Sequence, residues 1–226
     1  EQIKKKFYEN SITMINHCLQ IGILLIIPAS FGIFMLAENI IITLFVGGEF
    51  SLSDSVLTSE ALKALCIGLP AFIFVKILSV IFFAREDTRT PVYVAVASMI
   101  INLTFNLILI DFYFHVGLAI ATTISSWFNF TCLLVILCRK KIIKISKNTL
   151  QIFFKSILSS LIMILSIRLL LEINYFTILS ENIFVINLLK LFMVIIFGSL
   201  VYGFLIYLFK LSSLLDFKLG EKDSKK

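Results

Sequence analysis

The sequence predicts an all-α, polytopic membrane protein with six transmembrane helices and both termini in the cytoplasm. Three observations carry that reading. Apolar runs recur along the chain at about 20 residues, the length a helix needs to cross a bilayer core of ~30 Å. Hydrophobic residues make up 59% of the 226 and charged ones only 15%, with mean hydropathy +1.03. A globular domain carries roughly 25% charged residues, so the composition belongs to the membrane class. Finally, the basic residues fall in every second connection between the runs, the asymmetry that orients membrane helices.

The fixed point is Ala84–Val92, A-R-E-D-T-R-T-P-V, a charged island between the apolar runs Ala61–Phe83 and Tyr93–Ile110. With a spanning run on either side it reads as a tight membrane-surface loop, and Arg85 and Arg89 mark its surface as cytoplasmic. Glu86 and Asp87 read as solvated partners for those two arginines.

The elements follow in order. The chain opens E-Q-I-K-K-K-F-Y-E-N without an initiator Met, and Glu1 and Glu9 do not suit a signal sequence. Residues 1–13 therefore read as a cytoplasmic connection within a longer protein. The first span is Asn16–Ala37, with Pro28 and Gly32 inside it. Ile40–Val46 is too short to cross and is expected to lie at the interface, before a polar loop over Gly47–Glu60. The second span, Ala61–Phe83, holds Pro70 and Lys76, and the third is Val92–Ile110. Asp111–Val116 is a short turn, which makes the third and fourth spans antiparallel neighbours. The fourth, Gly117–Cys138, stops at Arg139-Lys140-Lys141, and the basic linker continues through Lys144 and Lys147. Leu150–Leu171 is the fifth span, Glu172–Asn182 a polar turn, and Ile183–Phe209 the sixth. A charged tail occupies 210–226.

Fifteen of the 20 basic residues sit in the connections assigned to the cytoplasm; the alternate connections hold none, and five lie inside spans. Shifting the count by one span would scramble that segregation, so six crossings is the number the charges support. The net charge of +6 is spread between apolar runs and forms no basic domain, which argues for lipid headgroups as partners and against nucleic acid.

Polar side chains inside spans are costly and face other helices or a wet cavity. Lys63, Lys155, Arg168 and Lys190 lie within about two turns of span ends, close enough to snorkel to headgroups. Lys76 shares a helix face with Gly68 and Phe72 on a proline-bearing span; it either faces a cavity, where it would meet an anionic headgroup, or snorkels. Ser98, Asn102 and Asn106 form one stripe at four-residue spacing. Gly117, Ala121, Ser125 and Asn129 form another, with Thr122 and Ser126 beside it. Such stripes serve close helix packing, or their amide, hydroxyl and carbonyl oxygens could hold a cation weakly, no carboxylate being among them. Ser199-x-x-x-Gly203 reads as a packing contact in the last span. Cys18, Cys66, Cys132 and Cys138 all fall in apolar runs without metal spacing. His17 and His115 stand alone, and no phosphate loop or paired-acid motif occurs, so no enzyme is read here.

At G-L-P-A-F (Gly68–Phe72), V-K-I-L (Val75–Leu78), F-F-A-R-E-D-T-R-T-P-V (Phe82–Val92), N-L-I-L-I (Asn106–Ile110) and G-L-A-I-A-T (Gly117–Thr122) the chain resembles the MurJ (MviN) family. These are bacterial lipid II flippases of the multidrug/oligosaccharidyl-lipid/polysaccharide exporter superfamily. I-P-A-S-F-G-I-F-M-L-A-E-N-I-I (Ile27–Ile41) and G-G-E-F-S (Gly47–Ser51) match the region before. Resemblance is dense over Leu24–Lys141; beyond that, topology and hydropathy carry it.

The resemblance implies a multi-pass protein of the bacterial inner membrane with fourteen helices: two six-helix lobes around a cavity, then two more helices bordering a groove for the polyprenyl tail. Residues 14–141 would be the last four helices of the second lobe and 142–209 the additional pair. The earlier helices of the same protein and the membrane lipids would be partners, and an undecaprenyl-pyrophosphate-linked peptidoglycan precursor the substrate. Alternating access moves the headgroup through the cavity while the tail stays in lipid, with Pro28 and Pro70 as places to bend. Lys76, in V-K-I-L where the family usually has V-K-V-L, is the implied substrate-binding charge. Asn102, Asn106, Leu118 (through its carbonyl) and Thr122 match positions where some members bind Na+, although Asn106 stands where the family-type residue is Asp. Two rivals remain: another polyprenyl-linked glycan or a drug as substrate, and a truncated membrane module that does not transport.

Overall fold

In a computed structural model, residues 2–172, 184–209 and 211 are described, with side chains from Ile12 onward. The polar turn before the last span and almost all of the charged tail lie outside these residues. The chain is all-helical: α1 (Gln2–Phe45), α2 (Leu52–Phe83), α3 (Arg89–Arg139), α4 (Lys147–Glu172) and α5 (Phe184–Leu208). All five are long and apolar enough to cross a membrane, so this is a multi-pass membrane protein. Helix α1 packs against α2, α4 and α5, while α2 packs on α3 and α4 on α5.

Two boundaries differ from the sequence reading. The segment Ile40–Val46 is no interfacial piece: α1 runs unbroken to Phe45. Glu38 and Asn39 are polar but neither breaks a helix, and termination waits for Gly47 and Gly48. Gly48 takes the left-handed φ of +60°, and Gly47 and Phe50 exchange backbone hydrogen bonds of 3.4 and 3.2 Å. Nor is Gly47–Glu60 a loop throughout, because α2 starts at Leu52. The Ser51 hydroxyl accepts from the Asp54 N–H, and the Asp54 carboxylate accepts from the Ser51 N–H at 2.9 Å, a capping box that begins the helix. Ser55 and Ser59 then donate to the carbonyls of Leu52 and Val56 at 2.6 and 2.8 Å and are buried. Their polarity is hidden by the helix itself.

Helix α3 is 51 residues long, about 76 Å if straight, more than twice a bilayer core. It doubles back at one residue, Phe114, with φ 48° and ψ −129°. Asn102 donates toward Thr122 and Ser125 at 3.3 and 3.4 Å, which fixes the two limbs as antiparallel. A Cβ at Gly117 would come within 2.6 Å of the Leu109 carbonyl oxygen, so only glycine lets the limbs close at the tip.

The far ends of that hairpin meet. Lys140 Nζ lies 2.9 Å from Asp87, and Asp87 also accepts from the Thr90 N–H and hydroxyl at 3.1 and 2.8 Å. Asp87 thus pairs with Lys140, across the hairpin, where the sequence suggested Arg85 or Arg89. The basic linker is in turn tied to α1. Asn16, 6% exposed, donates to the carbonyls of Ile12 and Lys144 and accepts from the Ser146 N–H and the Thr149 hydroxyl, all at 2.9–3.0 Å. The basic loops therefore gather at one end of the helix set.

Proline at position i leaves the carbonyl at i−4 without its helical donor. At Pro70 that carbonyl belongs to Cys66, and the Ser30 hydroxyl of α1 donates to it. The neighbouring Ile67 carbonyl accepts from Trp127 Nε1 of α3 at 3.0 Å. The proline turn of α2 is thereby satisfied from both sides, as an apolar surround requires.

In α5 the small residue at the contact is Gly198, where an added Cβ would lie 2.7 Å from Ile167 Cδ1 of α4. Ser199 and Gly203 face outward and a Cβ on Gly203 would meet nothing. The i, i+4 pair at these two positions lies one residue off the buried face.

Candidate functional site

A groove of about 460 Å³ runs between α2 and both limbs of α3, and Lys76, Ser98, Asn102, Thr122, Ser125 and Asn129 supply its polar lining. Four-residue spacing placed them there. Lys76 stands on the face of α2 that looks across to the α3 stripes, and its side chain is exposed. The two predicted stripes meet: Asn106 donates to Asn102 Oδ1 at 3.0 Å, Asn102 donates to Thr122, and Thr122 donates to the Leu118 carbonyl at 2.8 Å. The four residues named as a possible cation site are therefore neighbours in one hydrogen-bonded chain. Ser98 donates to the Val94 carbonyl at 2.7 Å.

Most of that polarity is spent internally. Asn106 Oδ1 and Asn129 Oδ1 are buried and have no hydrogen-bond partner among the described residues. Among those residues there is also no group of three or more His, Cys, Asp or Glu able to hold a metal. What remains is a neutral amide–hydroxyl surface with one ammonium beside it. Such a surface suits the hydroxyls, amides and phosphates of a polar headgroup, the cation supplying charge and the amides direction.

Lys155 in α4 donates to the Phe209 carbonyl just past the end of α5 at 3.5 Å. That in-span lysine meets a helix terminus. Arg168 pairs with Glu172 at 3.5 Å on the surface.

A second cavity, about 380 Å³, lies between α1, α4 and α5. Pro28, Gly32, Met163, Ile195 and Gly198 contribute to its walls, with Tyr202 at one end. Gly198 lets α5 close on Ile167 of α4 at one side, and Gly32 faces Met163. Leu25 and Ile195 are 66% and 41% exposed, so the groove opens sideways toward lipid. The family resemblance implied a groove beside the last two spans; it did not point to α1 or to the lining. The missed signal was Tyr202, a hydroxyl in the middle of an apolar span, which must find a partner when buried.

At the charged end, the hydrogen bond from Lys140, joined by those from Thr90, holds the Asp87 carboxyl down at about 2.

Comparison with known proteins agrees with this architecture. The family described as Lipid II flippase MurJ matches residues 4–206. A probable lipid II flippase MurJ of Rickettsia prowazekii (strain Madrid E) is 44% identical over 114 residues, 50% of this chain and 22% of that protein. One from Buchnera aphidicola subsp. Acyrthosiphon pisum is 32% identical over 214 residues, 92% of this chain and 40% of that protein. Among solved structures, a lipid II flippase MurJ in an inward closed conformation superposes with TM-score 0.73 at 25% identity. It is matched over 91% of this chain and 40% of its own. The chain thus spans less than half the length of these relatives.

Proposed function

The chain belongs to the lipid II flippase MurJ family, and we propose that it forms the C-terminal part of a transporter moving undecaprenyl-pyrophosphate-linked peptidoglycan precursor across the bacterial inner membrane. In this reading residues 14–141 are the last four helices of the second lobe and 142–209 the additional pair. The hairpin α3 counts as two crossings, so six spans run between cytoplasmic termini. The gathering of Arg85, Arg89 and the 139–147 cluster at one end supports that sidedness.

The observation that carries the proposal is the Lys76 groove: one exposed ammonium over an amide-lined surface, in a helix set otherwise coated with hydrocarbon. Flipping requires a charged, sugar-bearing headgroup to cross about 30 Å of apolar core. A cation and neutral donors along a helix face replace its water, and the lateral apolar groove lets the prenyl chain remain in lipid. The helices preceding these in the complete protein would close the cavity's other wall.

The test is Lys76→Ala and Lys76→Glu in the intact protein, read as lipid II accessibility at the outer face of cells depleted of their own flippase. We expect translocation to fall at least about tenfold, the loss of a charge-assisted contact, with the protein accumulating normally. Unchanged translocation in both variants would remove Lys76 from the mechanism.

A second reading concerns a cation. Asn102, Asn106, the Leu118 carbonyl and Thr122 would hold Na+, favoured by the buried, unpartnered Asn106 Oδ1. Neutral hard oxygens fit a weakly held monovalent ion. A bound Na+ would supply positive charge joining the α3 limbs. Sodium-dependent protection of the hairpin from hydrogen exchange, abolished by Asn106→Leu, is the expected result; protection equal in Na+ and choline would refute it.

A further inference from the structure

Pro28 removes one rung of the hydrogen-bond ladder of α1 as Pro70 does in α2, and the carbonyl it leaves without a helical donor is that of Leu24. Leu24 is 2% exposed, so no water can serve it, and an unmet carbonyl in such a place is strongly unfavourable. The Tyr202 hydroxyl of α5 lies 2.9 Å from that oxygen and donates to it. With its proton so directed, the phenol oxygen accepts from Ser156 of α4, also at 2.9 Å. Ser156 is fully buried and Tyr202 7% exposed. Three helices therefore converge on one backbone oxygen, reached across 178 residues of sequence.

The same three helices enclose the apolar groove, and Pro28 and Tyr202 both line it. We propose that Tyr202 replaces the donor that Pro28 removes and, by fixing the proline turn there, positions the α1 wall of the groove for the polyprenyl tail. The positioning half rests on the flippase reading; the donor half does not. A phenylalanine would fill the same volume and leave the carbonyl bare, so shape alone does not account for a tyrosine. The Ser30 bond at Pro70 is the same repair made away from the groove, and it supplies the control.

The test is a double-mutant cycle of Tyr202→Phe and Pro28→Ala in the intact protein in lipid nanodiscs. Tyr202→Phe alone should lower the melting temperature by several degrees. In the Pro28→Ala background it should do little, because residue 28 then offers its own N–H to Leu24. Should the single variant fail to accumulate, recovery of expression in the double variant gives the same result. Equal destabilisation in both backgrounds would overturn the donor assignment.

Positioning is read separately, from binding of undecaprenyl phosphate. Tyr202→Phe should weaken it about tenfold, equivalent to one hydrogen bond of about 1.4 kcal/mol. Pro28→Ala/Tyr202→Phe should stay weak although stable, and Ser30→Ala should bind normally although destabilised. Normal binding by Tyr202→Phe would overturn the positioning role. Failure of the unsubstituted protein to bind the probe would overturn both the tail groove and that role, while the donor assignment would still stand or fall on the mutant cycle alone.

Discussion

Asp87 and Lys140 close a 2.9 Å ion pair across 53 residues of sequence, joining the loop that enters α3 to the turn that leaves it. The pair lies at the mouth of a hairpin whose other end is the single reversed residue Phe114. Lys140 also stands 5.9 Å from the centre of the Phe82 ring, so the end of α2 belongs to the same corner.

That corner has a defined pH dependence. The Asp87 carboxyl is held at about 2 by Lys140 and Thr90, below its unfolded value of about 3.9. A depressed carboxylate adds stability that is complete above the unfolded value and is lost as pH falls through the folded one. The melting-temperature gap between the unsubstituted protein and Asp87→Asn should therefore be constant above about pH 5 and close between about 4 and 2. A gap that stays the same from about pH 5 down to about pH 2 would mean that the carboxyl is unshifted.

Gly117→Ala should splay the α3 hairpin, because its Cβ would press on the Leu109 carbonyl at 2.6 Å. Backbone cannot step aside as a side chain can, so a loss of about 1–3 kcal/mol is expected. Gly203→Ala, facing open space, should instead stabilise α5 by up to about 1 kcal/mol. Thermal unfolding of the two variants in one detergent checks both signs.

Asn16→Ala should loosen the 144–149 linker first. It strips partners from the Ser146 N–H, the Thr149 hydroxyl and the Lys144 carbonyl, at about 1–3 kcal/mol for each buried group left bare. Asn16→Asp should not rescue, since the linker needs a donor for the Lys144 carbonyl as well as an acceptor. Hydrogen exchange should rise over residues 144–152 and stay unchanged in the α3 hairpin.

Phe114→Gly should raise stability by about 1 kcal/mol, by removing a side chain from a φ of +48°. Phe114 is 71% exposed, so little packing is lost. A fall in melting temperature would show that the ring's outward contacts outweigh the backbone.

These residues show what the sequence made legible. The Asn102/Asn106 stripe and the stripe beside Thr122 were each legible because helical spacing is local, and the short reversal made their limbs neighbours; that Lys76 of α2 faces them was not. Ser51 and Asp54 were a capping box in plain view, obscured by the assumption that polar means loop. Asn16 was harder: its partners lie 128–133 residues away, and nothing local says which polar side chain at a span end will be buried. One residue of error turns a helical position by about 100°, so choosing Gly198 over Gly203 needs the neighbouring helix in place. Tyr202 and Leu24 met the same obstacle over a longer separation.

The central position of α1 bears on how the chain is made. Synthesis is vectorial, so α1 enters the bilayer while α4 and α5 are still unmade. Until they arrive, Asn16 and Gln20 lack Thr149 and the Leu24 oxygen lacks its phenol. Translation stopped after Arg139 would leave α1 without these partners and the Leu24 carbonyl bare. The packing of α1 is thus completed only by α5.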